Sequence, residues 1–236
     1  SVLVDLHRDA IELDEEYGLT FNYHHNFIRS DHKIRIEAAA SRSPETDEYA
    51  FRNSYLSPVF LDSRDNSQIG ERDDRSHIAV DYSNVLSKAT TIEAGYTDEF
   101  NSSDLNFTAA SYDLILQEFV PDLVKSSRYT YTETIHSLYA TVKQTFGKFS
   151  MLAGARFERA SGTSELRTLD SSVTATYWNV FPSVHFSYGL SKSTDLNLMY
   201  GRRISRPRAR DLNPFPEYRD PKNISYGNPL IVPEYI

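Results

Sequence analysis

The sequence predicts an all-β chain, an antiparallel transmembrane β-barrel with short periplasmic turns and long extracellular loops. Three observations predict it. About eight segments, each roughly ten residues long, alternate apolar and polar side chains, the period of a strand with two different faces. Strands of roughly 9–11 residues, tilted by about 45°, are long enough to cross a bilayer's hydrocarbon core. The segments are joined alternately by tight turns and by long polar stretches, as in bacterial outer-membrane barrels. Asp195-Leu196-Asn197-Leu198-Met199-Tyr200 is the clearest case, with Leu196, Leu198 and Tyr200 on one side.

Composition bounds the alternatives. Sixteen Tyr, thirteen Phe and one Trp in 236 residues suit strands and membrane-interface girdles. A mean hydropathy of -0.51 with 25% charged residues excludes a helical membrane protein. It does not exclude a barrel, in which only one face of each strand meets lipid. The chain has no cysteine, hence no disulfide framework or thiolate metal site. A net charge of -8 argues against a nucleic-acid partner, which needs a basic surface. The chain begins at Ser1 without a signal peptide and is expected to be a processed or excised form. A soluble β-sandwich alternates in the same way, so composition leaves sandwich and barrel open.

In chain order, residues 1–18 read as an acidic, partly ordered lead-in. Leu19, Phe21 and Tyr23 then alternate with polar neighbours, turn near Arg29-Ser30-Asp31, and return through Ile34, Ile36, Ala38 and Ala40. Residues 41–76 read as a long polar loop. The second hairpin carries Ile78, Val80 and Tyr82, turns at Leu86-Ser87-Lys88-Ala89, and returns through Ile92, Ala94 and Tyr96. A second long connection covers residues 98–134; within it 112–120 is a strand extension or a short helix, ended by Pro121. The third hairpin runs from Leu138, Ala140 and Val142 through Gly147-Lys148 to Phe149, Met151, Ala153, Ala155 and Phe157, and a two-residue link containing Gly is a strong hairpin signal. A Ser/Thr-rich loop is expected over 161–175. The fourth hairpin carries Val180, Pro182, Val184, Phe186 and Tyr188, turns at 191–194, and returns through Leu196, Leu198 and Tyr200. Pro182 suggests a strand end or bulge, since it cannot donate to a ladder. Residues 202–236, rich in proline, read as an extracellular loop leading to a next strand. The whole chain is expected to be a single barrel region.

Four hairpins with every short turn at one end favour the barrel, because a sandwich has no reason to sort its connections this way. On this reading Leu138, Val142, Phe149, Met151, Phe157, Val184, Phe186, Leu196 and Leu198 meet lipid, and Asp81, Glu93, Arg156, Glu158, His185 and Asn197 line the lumen. The alternatives are a soluble or surface-exposed β-sandwich acting as a binding or adhesion module, and a small closed barrel with a structural role.

The closing segment carries motifs: Arg202-x-x-x-Arg206-Pro207, Leu212-Asn213-Pro214-Phe215, and Gly227-Asn228-Pro229 running on to Pro233-Glu234. With Gly154-Ala155-Arg156-Phe157-Glu158 as a Gly-x-Arg-x-Glu strand, they make the chain resemble the β-barrel region of TonB-dependent outer-membrane receptors, of the kind common in Bacteroidetes. The resemblance covers residues 149–236 and is one of pattern only before that. It implies a barrel of about 22 strands with an N-terminal plug, of which this chain would be a middle portion lacking plug and energy-coupling box. It implies localisation in the bacterial outer membrane and uptake of a ligand: a siderophore, an oligosaccharide or a peptide. The implied partners are membrane lipid and lipopolysaccharide, the TonB energy-coupling complex through the missing N-terminal part, and a surface lipoprotein lid.

Candidate ligand-binding residues are Arg202, Arg206, Arg156, Glu158 and Tyr218. Guanidinium groups hold carboxylate or phosphate in a bidentate fashion; the bland reading of these arginines is a network of ion pairs that folds the loop. Arg156 and Glu158 fall two apart on one strand face, as lumenal charges paired with neighbours. Carboxylates between Asp62 and Asp74 offer oxygens for Ca²⁺ without a matching loop spacing, and His24 and His25 point to opposite faces, so no metal or cofactor is assigned. The chain has no Gly-x-Ser-x-Gly, His-Glu-x-x-His, P-loop or Gly-x-Gly-x-x-Gly, and no catalytic residue is assigned.

Overall fold

The computed structural model describes residues 3–27, 32–57, 60–220 and 223–236. One ten-stranded antiparallel sheet dominates it. Its strands are β1 (Leu3–Asp14), β2 (Tyr17–Asn26), β3 (His32–Ser57), β4 (Ser63–Ser87), β5 (Thr90–Asp113), β6 (Glu118–Pro121), β7 (Ser127–Phe146), β8 (Phe149–Leu166), β9 (Ser171–Ser191) and β10 (Thr194–Gly201). A single 3₁₀ turn (Arg167–Leu169) joins β8 to β9. The long strands form a meander, each paired with the next in the chain, while β6 extends the β5 edge beyond the end of β7. The C-terminal stretch carries β11 (Ile204–Ser205), α1 (Ala209–Leu212), β12 (Glu217–Asp220), β13 (Asn223–Ser225) and β14 (Glu234–Tyr235).

Register sorts the side chains into two solvents. Tyr23, Ile36, Val80, Tyr96, Leu138, Phe157 and Val180 stand in one row across the sheet. One step along, the opposite face carries Asn22, Glu37, Ala79, Thr97, Ser137, Glu158 and Asn179. The apolar face runs from the row of Phe146, Phe149, Tyr188 and Leu196 up to the row of Ile78, His136, Arg159 and Trp178. On β9 these rows are ten residues apart, which at about 3.3 Å per residue and a tilt of about 40° gives a band about 25 Å tall. Its residues are bare: Leu138 is 58% exposed, Phe157 56% and Leu198 68%. Among the described residues no second sheet packs on this face. The fold is that of an antiparallel transmembrane β-barrel, and the sandwich is set aside because its apolar face would have to be covered.

The expected turns at 86–89, 147–148 and 191–194 are two-residue links at one end of the sheet, Gly147 supplying the positive φ of 58°. The turn expected at 29–31 lies outside the described residues. The loops are shorter than expected. Residues 41–57 and 63–76 continue β3 and β4, residues 98–113 continue β5, and 161–166 and 171–175 continue β8 and β9. Of the 98–134 connection, 118–121 form β6 and 114–117 a turn, with no helix. Beyond the apolar band neither face meets lipid, and the inward one carries a small buried cluster of Tyr49, Phe51, Ile69 and Phe107, so the ladder continues without regular hydrophobic alternation. Cross-strand pairs replace it: Arg42 Nε donates to Asp74 at 2.6 Å and Gln68 donates to Glu48 at 3.1 Å.

The lead-in expected over residues 1–18 is also mostly strand, β1 filling Leu3–Asp14. β1 and β2 form one line along the edge of β3, with register kept from Asp14↔Glu45 to Tyr17↔Arg42. The gap lies opposite Pro44, which accepts a bond from Glu15 N at 3.1 Å but has no N–H to return. Pro182 obeys the same rule. Its carbonyl accepts from Arg202 N at 3.2 Å, so its missing N–H points past the end of β10 and the β8–β9 ladder keeps its bonds.

Candidate functional site on the inward face

The inward face concentrates the charges. On β8, Arg156 and Glu158 are neighbours on this face, with Arg156 Nε 3.3 Å from Glu158 Oε2. Arg156 Nη2 donates to Ser137 Oγ on β7 at 2.8 Å and lies 3.7 Å from Glu99 on β5. The Glu158 side chain is only 4% exposed. A carboxylate this buried needs compensating charge, and the C-terminal stretch brings it: Arg206 Nη2 donates to Glu158 Oε1, and Arg206 Nε lies 3.5 Å from Glu133 on β7. Tyr131 donates to Glu133 at 3.4 Å.

The C-terminal stretch is therefore folded back onto the wall. Ala209 and Leu212 of α1 are buried against Leu105 and Tyr129, with Tyr131 and Phe215 beside them. Arg210 donates to Glu71 of β4 at 2.7 Å. Gly227 N donates to Asn213 O at 2.6 Å, and a Cβ at Gly227 would stand 2.3 Å from the Asp211 carbonyl oxygen, so only glycine fits this approach. Arg202 donates to the Val180 carbonyl at 3.4 Å and stacks on Tyr235 at 4.4 Å from the ring centre, and Tyr235 donates to Asn179 at 2.8 Å.

The structure thus brings together Arg206, Arg156 and Glu158, and places Arg202 on the adjoining β9 edge. The Tyr218 side chain lies outside the described residues. Glu99, Glu133, Ser137 and Asn179 were not legible as part of this site, because Glu99 and Glu133 fall in stretches that lack apolar alternation and pairing register is not written in local spacing. The carboxylates weighed for Ca²⁺ and not assigned to it stand apart: Asp73 and Asp74 alternate faces, Asp73 bonded to Ser103 and Arg75, Asp74 to Arg42.

Two spaces flank the docked stretch. Between Arg206, Leu212, Pro229 and the β7–β9 wall is a cavity of about 50 Å³, room for one or two waters. On its other side a hollow of about 720 Å³ is lined by Arg206, Arg208, Arg210, Asp211, Asn228 and Glu234. Nearer the turns, a hollow of about 360 Å³ has His24, Lys33, Arg35, Asp81, Glu93 and Tyr139 on its walls. These surfaces can hold a polar ligand of mixed charge.

Residues 25–236 match the profile of the outer membrane protein beta-barrel family. The chain belongs to that family. Its place is the bacterial outer membrane. No curated protein matches it in sequence. In shape it is similar to the ferric citrate transporter FecA in its unliganded form, at 12% identity over 73% of this chain and 27% of that one, TM-score 0.48. It is also similar to the copper transporter OprC, at 12% identity over 84% and 37%, TM-score 0.48, and to the ferric yersiniabactin uptake receptor FyuA from Yersinia pestis, at 10% over 75% and 30%, TM-score 0.45. The family chain described here spans between a quarter and two fifths of the length of these structures.

Proposed function

We propose that this chain is wall of a receptor barrel that takes up a ligand across the outer membrane with energy coupled through TonB. The observation that carries the reading is the division of faces: an apolar band about 25 Å tall outside, and an inward wall of paired charges and hollows. The sheet edges support a larger barrel. Among the described residues no ladder joins β10 to β1 or β2, and hydrocarbon does not tolerate unpaired strand edges. Further strands, a plug and an energy-coupling box complete the receptor in this reading, and a surface lipoprotein lid is its extracellular partner. Arg202, Arg206, Arg156, Glu158 and Tyr218 are the proposed ligand contacts, Arg206 and Glu158 reaching the ligand by exchanging their mutual ion pair for it. The ligand is a siderophore, an oligosaccharide or a peptide.

The test is uptake by cells with and without the gene, using a labelled ferric siderophore, a labelled malto-oligosaccharide and a labelled oligopeptide. One class accumulates only in cells carrying the gene, and a protonophore abolishes it. Equal entry of all three in the deletion strain overturns the receptor reading; import insensitive to the protonophore overturns energy coupling alone.

A further inference from the structure

We propose that the turn end of this barrel binds the phosphodiester headgroups of anionic phospholipids in the leaflet it faces. Lys88, Lys148 and Lys192 each sit in one of the two-residue links at this end, and all three are exposed. Lys33 and Lys143 stand at the same end on the inward face, so that of the six described lysines only Lys125 lies at the far end. None of the three link lysines is in an ion pair among the described residues. The acidic residues nearest in sequence, Glu93 and Asp195, point inward.

Each lysine has exposed apolar company: Leu86 beside Lys88, Phe146 beside Lys148, Leu190 beside Lys192. Phe146 and Phe149 stack at 6.4 Å across the Lys148 turn, and Phe149 and Phe186 at 5.7 Å, so the lower rim of the band is aromatic. Aromatic rims sit at the hydrocarbon edge. A lysine just beyond that edge lays its stem along apolar surface and carries its ammonium to the phosphate layer. Three unopposed ammonium groups along this rim complement a negative lipid surface. The occupant is phospholipid rather than lipopolysaccharide, because the short turns face the periplasm.

The experiment uses protein purified in detergent and given phosphatidylglycerol and phosphatidylcholine in equal amounts; lipid retained through gel filtration is counted by mass spectrometry. Wild type retains a several-fold excess of phosphatidylglycerol, which falls toward parity in about 0.5 M salt, where the Debye length is only a few ångström. K88Q/K148Q/K192Q retains the two lipids equally, K88R/K148R/K192R keeps the excess, and Lys148→Gln alone lowers it. Lys125→Gln leaves it unchanged. No excess in wild type, an excess that survives the triple Gln or, if that variant does not fold, Lys148→Gln, or an equal loss in Lys125→Gln overturns the proposal. Ligand uptake plays no part in this measurement, so its failure and that of the receptor reading are separate results.

Discussion

Glu158 joins the β7–β8 wall to the C-terminal stretch, since one carboxylate meets Arg156 on its own strand and Arg206 from 48 residues away. Removing one member of a buried ion pair leaves the partner unpaired, a cost of about 3–5 kcal/mol that water in the lumen lowers here toward about 2. Glu158→Gln is expected to lower the urea midpoint in vesicles and to speed proteolysis between residues 206 and 231. Arg206→Gln does the same, and the double variant costs less than the two singles summed, the signature of a direct pair. Additive costs would show that the two side chains act separately. Arg156 and Glu158 were legible as a same-face pair from their spacing. Their partners were not, because Glu99, Glu133 and Arg206 arrive through register and chain reversal.

The strands themselves were legible only where they pass through the membrane. Ile78 to Tyr82 alternates because oil and water lie on its two sides; Arg64 to Ser76 of the same strand does not, because neither side there is lipid and only Ile69 joins a buried apolar cluster. The far-end turn that leads from β6 into β7 shows how polar segments hold shape there. The Asp122 carboxylate accepts from Val124 N and Lys125 N, each at 3.1 Å, and pairs with Lys125 Nζ at 3.1 Å. The backbone bond from Lys125, then its side chain, hold the Asp122 carboxyl below the ordinary aspartate value. A depressed folded value means that the stabilisation is complete above the unfolded value near 3.8 and is lost as pH falls through the folded one. Hydrogen exchange of the Val124 and Lys125 amides should therefore stay slow relative to intrinsic rates from pH 7 down to about 4 and lose protection only below that. Loss of protection already at pH 6 would mean that this carboxylate does not hold the turn.

At the scale of the molecule, one face of the sheet lies in hydrocarbon. Labelling tests it directly: Leu198→Cys reacts with a lipid-phase probe and Asn197→Cys does not, although the two are adjacent on β10. Equal labelling counts against an outward apolar band. The face division was the most legible feature of the sequence, since it needs only period two. The edges and the docked C-terminal stretch were not, since they depend on what lies beside the sheet.

Energetics give the stricter test of the same claim. Val142 lies near the middle of the band, in register with Ala153, Val184 and Tyr200, and is 43% exposed. The next residue, Lys143, faces inward, so the chain already tolerates an ammonium one position away. Val142→Lys adds a second ammonium, on the other face. A lysine at the lipid-facing midplane of a barrel costs about 2–4 kcal/mol, falling toward zero near the interfaces. Urea unfolding in vesicles should show that loss for Val142→Lys, while Ser150→Lys, inward and near the turn end, stays within about 0.5 kcal/mol of wild type. Equal, small effects at both positions would mean that water reaches both faces, and the apolar band would then need a protein cover in place of lipid.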